Sequence, residues 1–311
     1  MSTISITTAF VQQFSTNIGM LLQQMGSRLR SAVQEQACFG MAATYIEQFG
    51  SVNPAKNLTR NADTPIMGVP QDRRWVYPND YDWGALIDEE DRLRLLIDPA
   101  GPFTMAGMAS LGRGMDDEII NGFFGDNLTG QTGATNVGHL AAFGSSSQVV
   151  GLTVGSTANC GMNVAKLRKA KQLLLAAEVD LDTEELFVGI TSIQHDNLLN
   201  EMQAINLDYT NKPVLVEGRI MEFMGFKFIH TERIPGAGSY AGSLSATTEV
   251  SGAAYLCPCW AKSGVGLGMW KDATARVAER PDKRFSWQVY ATGTYGATRL
   301  EEKRCLIIPC V

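Results

Sequence analysis

Residues 102–124 read PFTMAGMASLGRGMDDEIINGFF, and the fold turns on how this stretch is read. Met105, Met108, Met115, Ile119 and Phe123 recur near one side of a 3.6-residue period, while Arg113, Asp116, Asp117 and Asn121 lie elsewhere. The pattern predicts one long helix. Gly107, Gly112, Gly114 and Gly122 interrupt it, each at a cost of roughly 1 kcal/mol in helix propensity. Close packing by another chain segment is expected to compensate.

Upstream, Asp88, Glu89, Glu90 and Asp91 open a segment in which Leu93, Leu96 and Ile97 form a short helical face, ended by Asp98-Pro99. Residues 36–88 have another texture. Short alternating stretches around Phe39–Phe49 and Arg74–Tyr77 flank a polar middle holding Asn53, Pro54, Asn57, Asn61, Asp63, Pro65, Gly68 and Pro70. So few large apolar side chains cannot form a core, so a long hairpin or loop leaning on something else is expected. In residues 1–35, Phe10, Phe14, Ile18, Leu21, Met25, Leu29 and Val33 recur at three- and four-residue steps. They predict an amphipathic arm, as one helix or two around Gly19 and Gly26. Two readings stand: a terminal helix packed on its own domain, or an arm that seeks a partner.

Downstream, residues 125–160 read as connection and short strands. Asn163 is placed to cap a helix with Val164, Leu167, Ala170, Leu174 and Ala177 on one face. Leu186–Thr191 reads as a buried strand, and Ser192 starts a helix carrying Leu198, Leu199 and Met202. The rest is mostly β. Val214–Val216 and Arg219–Thr231 read as paired strands turning near Met224-Gly225, and 235–252 as a loop of small residues. Phe285, Trp287, Val289 and Ala291 alternate with Arg284, Ser286, Gln288 and Tyr290, Tyr295-Gly296-Ala297 reads as a turn, and Cys305–Ile308 as the returning strand. The fold class is α+β.

Composition narrows the function. The chain has 311 residues, 45% of them apolar, so a sizeable core is available and disorder is excluded for most of it. Charged residues, at 19%, fall below the usual share of about 25%. The net charge is −6; residues 51–100 hold 6 basic and 9 acidic side chains, residues 251–311 hold 9 and 5. An acidic whole with a mildly basic end does not read as a nucleic-acid-binding surface. No apolar run is long enough to span a membrane and no export signal is evident, so a soluble protein made in a cytoplasm is expected, its six cysteines reduced.

Sequence motifs point away from catalysis. Gly125–Thr132 has the glycine spacing of a phosphate loop, but Gln131 stands where lysine is needed and the segment follows a helix, so a flexible loop is expected. Gly264, Gly266 and Gly268 do not complete a dinucleotide fingerprint. Cys257-Pro258-Cys259 with Cys305 and Cys310 lack the spacing of a thiolate metal site and read as buried thiols. His139, His195 and His230 stand far apart, and His195 beside Asp196 reads as surface or capping chemistry. Asp116-Asp117-Glu118 are neighbours on a helix and do not face one another, so exposed or inter-subunit charge contacts are expected rather than an acid/base pair. No catalytic, cofactor-binding or metal-ligating residue is assigned, and no enzyme is expected.

The order of these parts resembles the major capsid proteins of tailed bacteriophages. The resemblance rests on the helical arm, the extended excursion, the acidic step Trp83–Asp91, the Asp98-Pro99 break and the helix holding Arg113–Ile120. Thr191-Ser192-Ile193-Gln194 leading to Leu198-Leu199, then Gly218-Arg219-Ile220 and Gly225-Phe226, extend it over residues 35–310. It implies the Hong Kong 97-type fold: an N-terminal arm (1–35), an extended loop (36–88), a peripheral domain (89–185) with a spine helix (102–124), a mostly axial domain (186–270) and a return to the peripheral domain (271–311).

The resemblance also implies how such a chain acts. Copies assemble into the pentamers and hexamers of an icosahedral head around double-stranded DNA, by laying loops and arms over neighbours. The implied partners are other copies, separate scaffold, portal and decoration proteins, and packaged DNA by weak proximity; the implied place is the virion. Candidate inter-subunit contacts are Phe10, Phe14 and Ile18 in the arm, Arg73 and Arg74 on the loop, Asp88, Glu89, Glu90 and Asp91 at its base, and Asp116 and Asp117 on the spine. A solvated charge run is the other reading of the loop charges. Alternative functions are a ring or tail component of a virion and, less favoured, a small-molecule enzyme of α+β fold. An enzyme would need a concentrated cluster of reactive side chains, and a tail component would lack the 102–124 pattern.

Overall fold

A computed structural model describes residues 23–56, 63, 64, 66–88, 100–133, 135–137, 148–201, 220–236 and 253–311. In chain order the strands and helices are β1 (Gln34–Ala37), β2 (Ala43–Phe49), β3 (Gln71–Val76), β4 (Asn79–Ile87), α1 (Ala100–Phe124), β5 (Asn127–Thr129), β6 (Thr135–Val137), α2 (Val164–Ala176), β7 (Leu186–Ile190), α3 (Ser192–Leu199), β8 (Glu222–Phe223), β9 (Phe226–His230), β10 (Tyr255–Ala261), β11 (Val265–Arg280), β12 (Ser286–Arg299) and β13 (Cys305–Cys310). The strands form sheets ordered β1-β11-β12-β4, β13-β10-β7-β9-β8 and β2-β3-β5-β6. The class is α+β, as the residue pattern implies.

The described residues fall into two compact units. One draws on the described residues within 23–27, 80–114 and 272–293, the other on those within 28–79, 115–271 and 294–311, so α1, β11 and β12 contribute to both. In the second unit, β7 is buried along its whole length and pairs in parallel with β9, Leu186 opposite Phe226 through Ile190 opposite His230. Strand β10 joins β7 to β13 in antiparallel register, Cys259 facing Val188 and Leu306. Leu167, Ala170 and Leu174 of α2 and Leu198 of α3 close one face of this sheet over Val188, Ile190, Phe226, Cys257, Cys259, Leu306 and Ile308. Each Val, Leu, Ile or Phe side chain among them contributes about 1.5–3 kcal/mol on burial.

Local chemistry sets the helix ends. Asn163 accepts the Lys166 N–H at 2.7 Å, the N-cap bond that its position predicts. Thr191 and Gln194 make a capping box for α3. The Met224-Gly225 turn between β8 and β9 has φ of 53° and 81°, the left-handed pair that a two-residue hairpin needs.

Three expectations are corrected. Tyr295-Gly296-Ala297 is no turn but lies inside β12, because a Cβ on Gly296 would stand 2.2 Å from the Tyr77 carbonyl oxygen; the glycine serves close approach. Phe285 is not the first residue of an alternating strand and lies in the turn before β12. Residues 127–129 form strand β5 where a flexible loop is expected, with Asn127 and Thr129 buried. The short helix expected after Asp88, the strand at 214–216 and nearly all of the 235–252 loop lie outside the described residues.

Candidate functional site

The long helix extends over 100–124, and three of its glycines sit where other segments press on it. A Cβ on Gly107 would meet the Trp83 ring at 2.6 Å, on Gly112 the Gly26 backbone at 2.6 Å, and on Gly122 Ala297 at 2.7 Å. Gly107, Gly112 and Gly122 thus each mark a crossing, which offsets their poor helix propensity.

Just past its middle, three consecutive acids point about 100° apart and bind three different segments. The buried Asp116 carboxylate accepts the backbone N–H groups of Arg28 and Leu29, each at 3.1 Å. Asp117 is held in a bidentate pair by Arg233. Glu118 accepts from Asn79 Nδ2 at 2.6 Å. The expectation for Asp116 as an inter-subunit contact is therefore corrected: with no exposed surface it is committed to the backbone of Arg28 and Leu29. Asp117 remains partly exposed beside Arg233.

In the excursion, β2 and β3 form an antiparallel pair with Glu47 opposite Arg73. Arg73 and Glu47 make an exposed ion pair at 2.8 Å, a contact worth little by itself. Arg74 points the other way along the pleat and is buried. Its guanidinium donates to Glu302 Oε2 at 2.7 Å and to Gln48 Oε1 at 3.4 Å, which bolts the loop base to the 3-10 turn Glu302–Arg304. Arg74 is thus corrected from a candidate for contact with other copies to an internal anchor. Asp88 accepts from Ser286 Oγ at 2.7 Å. Phe10, Phe14, Ile18, Glu89, Glu90 and Asp91 lie outside the described residues.

Besides its charged groups, the excursion leaves large apolar side chains uncovered. Phe39 is 84% exposed, Met41 89% and Ile66 100%, and Phe49, Met67 and Val69 are also exposed. Phe39 and Met41 are presented on a fixed turn: Cys38 N–H donates to Met269 at 2.9 Å, Trp270 Nε1 donates to the Gly40 carbonyl at 2.7 Å, and Gly40 has φ of 84°. Sequence reading placed these residues on alternating strands and missed their exposure, since alternation alone cannot say that neither face is covered.

Other chemistry is muted. Cys257, Cys259, Cys305 and Cys310 are buried free thiols. The hydrogen bond to Cys310 holds the Cys257 thiol well above its ordinary value, burial raises Cys259, and burial pushes Cys305 up to about 12. Cys257, Cys259 and Cys305 are inert thiols, not nucleophiles, whereas the hydrogen bond from Cys257 lowers Cys310. Gly266 and Gly268 stand where the Tyr45 ring and Cys38 Sγ pack, 2.6 and 3.0 Å from a Cβ, which explains their alternation without a nucleotide. A cavity of about 670 Å³ is lined by Arg28, Ile190, His195, Ile220, Phe228, Ile229 and His230. There His195 Nε2 accepts the Ile220 N–H, Arg28 donates to the His230 carbonyl at 2.7 Å, and His230 Nε2 lies 3.0 Å from Glu232 Oε1, so its polar groups are engaged within the chain. Among the described residues no group of His, Cys, Asp and Glu could hold a metal ion, and no helix is long and apolar enough to cross a membrane.

Comparison with known proteins bears on this surface. A family model described as phage capsid protein matches residues 6–311. No curated protein sequence matches the chain. Among solved structures, the chain is similar to the capsid subunit of cyanophage Pam1, with a TM-score of 0.69 at 15% identity over 100% of this chain and 99% of that one. It is also similar to the capsid of cyanophage P-SCSP1u, with a TM-score of 0.67 at 13% identity over 100% and 95%. The acid-stable capsid of Helicobacter pylori bacteriophage KHP30 gives 0.67 at 11% over 99% and 97%.

Proposed function

The chain belongs to the phage capsid protein family, and from that premise we propose that its copies assemble into the pentamers and hexamers of an icosahedral head enclosing double-stranded DNA. It is a major capsid protein with the Hong Kong 97-type fold. One observation carries the assembly reading: the excursion holds large apolar side chains in water on an anchored scaffold, Phe39, Met41 and Ile66 above all. Exposed apolar side chains grouped in this way mark a contact surface, and another copy supplies the missing cover.

In this reading residues 1–35 act as an arm, 36–88 as a loop laid over a neighbour, 89–185 and 271–311 as the peripheral domain and 186–270 mostly as the axial domain. Phe10, Phe14, Ile18, Arg73, Asp88, Glu89, Glu90, Asp91 and Asp117 are the proposed contact residues. Scaffold, portal and decoration proteins are separate partners. Packaged DNA is held by proximity alone, which suits a chain of net charge −6. The subunit is made in the host bacterial cytoplasm and ends in the virion.

The test is direct. Purified protein, alone or with a scaffold protein, should give hexamers, pentamers or closed shells in light scattering and negative-stain microscopy. A strictly monomeric species under all such conditions sinks the assembly reading. Deleting residues 1–35 should impair shell formation more than folding, and unchanged assembly would count against the arm.

A further inference from the structure

Strand β7 leads into α3, and β9 lies parallel to β7, with Ile190 and His230 opposite each other as their last residues. Crevices beyond the carboxyl ends of parallel strands are where ligands settle in such sheets, because the chain turns away there and leaves the end of the sheet uncovered. The cavity of about 670 Å³ lies at this place: it is lined by Ile190 and His230 from the strand ends and by His195 from α3. Small-molecule sites span about 300–1,000 Å³, with mostly apolar walls and a few polar groups that fix orientation.

Two kinds of wall meet in it. Ile190, Ile220 and Phe228 belong to the buried core of the sheet, and Ile229 adds to the apolar lining. Among the described lining residues Arg28 alone carries a permanent charge, and it is exposed and engaged only in part. Its backbone N–H is held by Asp116 and its Nη1 by His230, at 2.7 Å from the carbonyl and 3.3 Å from Nδ1, whereas Nε and Nη2 have no partner among the described residues. Those two nitrogens form one edge of the planar guanidinium, a fork that matches the two oxygens of a carboxylate. The acid beside the cavity is committed elsewhere: Glu232 accepts the Ser192 N–H at 2.8 Å and lies 3.0 Å from His230 Nε2.

We propose that this cavity binds a small amphiphile, an alkyl carboxylate whose head pairs with Arg28 and whose chain lies along Ile190, Ile220, Phe228 and Ile229. Removal of the alkyl chain from water drives binding, and the guanidinium selects a carboxylate over an alcohol or an amine of the same length. The site belongs to the single chain, so it stands whether or not copies assemble.

Decanoate, decanol and decylammonium, each below its micellar range, are the probes, titrated calorimetrically into the purified full-length protein. Decanoate should saturate a single site per chain and bind roughly tenfold more tightly than decanol, with decylammonium weakest. Arg28→Gln should weaken decanoate by roughly tenfold and leave decanol within about twofold, since the apolar walls are unchanged. The Asp116 contact is to the Arg28 backbone and survives the substitution, and thermal denaturation checks that the variant is folded. Should Arg28→Gln fail to fold, Arg28→Lys replaces it; the charge stays but the fork is lost, and decanoate should weaken by about threefold. Absence of saturable decanoate binding, equal affinity for decanoate and decanol, or unchanged decanoate binding in the folded Arg28 variant overturns the proposal. So does loss of binding in Phe39→Ser with Met41→Ser, which would place the amphiphile on the exposed turn of the excursion.

Discussion

Arg299 has no exposed surface, yet its guanidinium is well satisfied. It donates to the Phe123 and Gly125 carbonyls at the end of α1, and the Asn127 amide, oriented with its oxygen inward, accepts from Nε at 3.0 Å and Nη2 at 2.9 Å. Orphan carbonyls at a helix C-terminus are a natural acceptor for a cation. Arg299→Met should keep the apolar volume but strand those carbonyls, lowering unfolding free energy by about 3 kcal/mol in chemical denaturation. The thiols give a second expectation at this scale. Cys257, Cys259 and Cys305, buried and raised in pKa, should resist alkylation at pH 8 in the folded protein, while the partly exposed Cys160 reacts first; mass spectrometry of labelled peptides reads the order.

Among the elements, α1 shows most clearly how sequence and packing divide the work. Its length, its apolar face and the need for compensation at its glycines were all legible from 102–124, because periodicity and propensity are local properties. Which segments press on which glycine was not, because Ala297 lies far along the chain from Gly122. The sign of one substitution follows from that contact. In an exposed helix Gly→Ala stabilises by roughly 1 kcal/mol. Gly122→Ala should instead destabilise, since its Cβ would meet the Ala297 carbonyl carbon and Cβ at 2.7 Å, and backbone there cannot yield cheaply. A lowered denaturation midpoint checks it; a raised one would show that β12 can retreat. The turn misread at Tyr295–Ala297 has the same origin: glycine signals both turns and close approaches, and only the neighbour Tyr77 distinguishes them.

For the whole molecule, the exposed apolar set on the excursion ties stability to assembly. Backbone amides of residues 66–69, outside any strand, should exchange rapidly in the unassembled protein and slow at least tenfold in shells; equal exchange in both states would mean that the loop stays uncovered. Sequence by itself determined the α+β class, the long helix, the Asn163 cap, the Met224-Gly225 turn and the excursion without a core, all of which follow from residue period and local backbone preference. Tertiary structure alone decided what each charge does. Asp116 meets residues 87 and 88 positions away and Arg74 meets Glu302 across 228, so both became internal anchors although their composition reads as surface. It alone also set Phe285 in a left-handed turn. The physical reason is the same throughout: helix and strand period are written in neighbouring residues, whereas burial, ion pairing and steric approach depend on segments that only folding brings together.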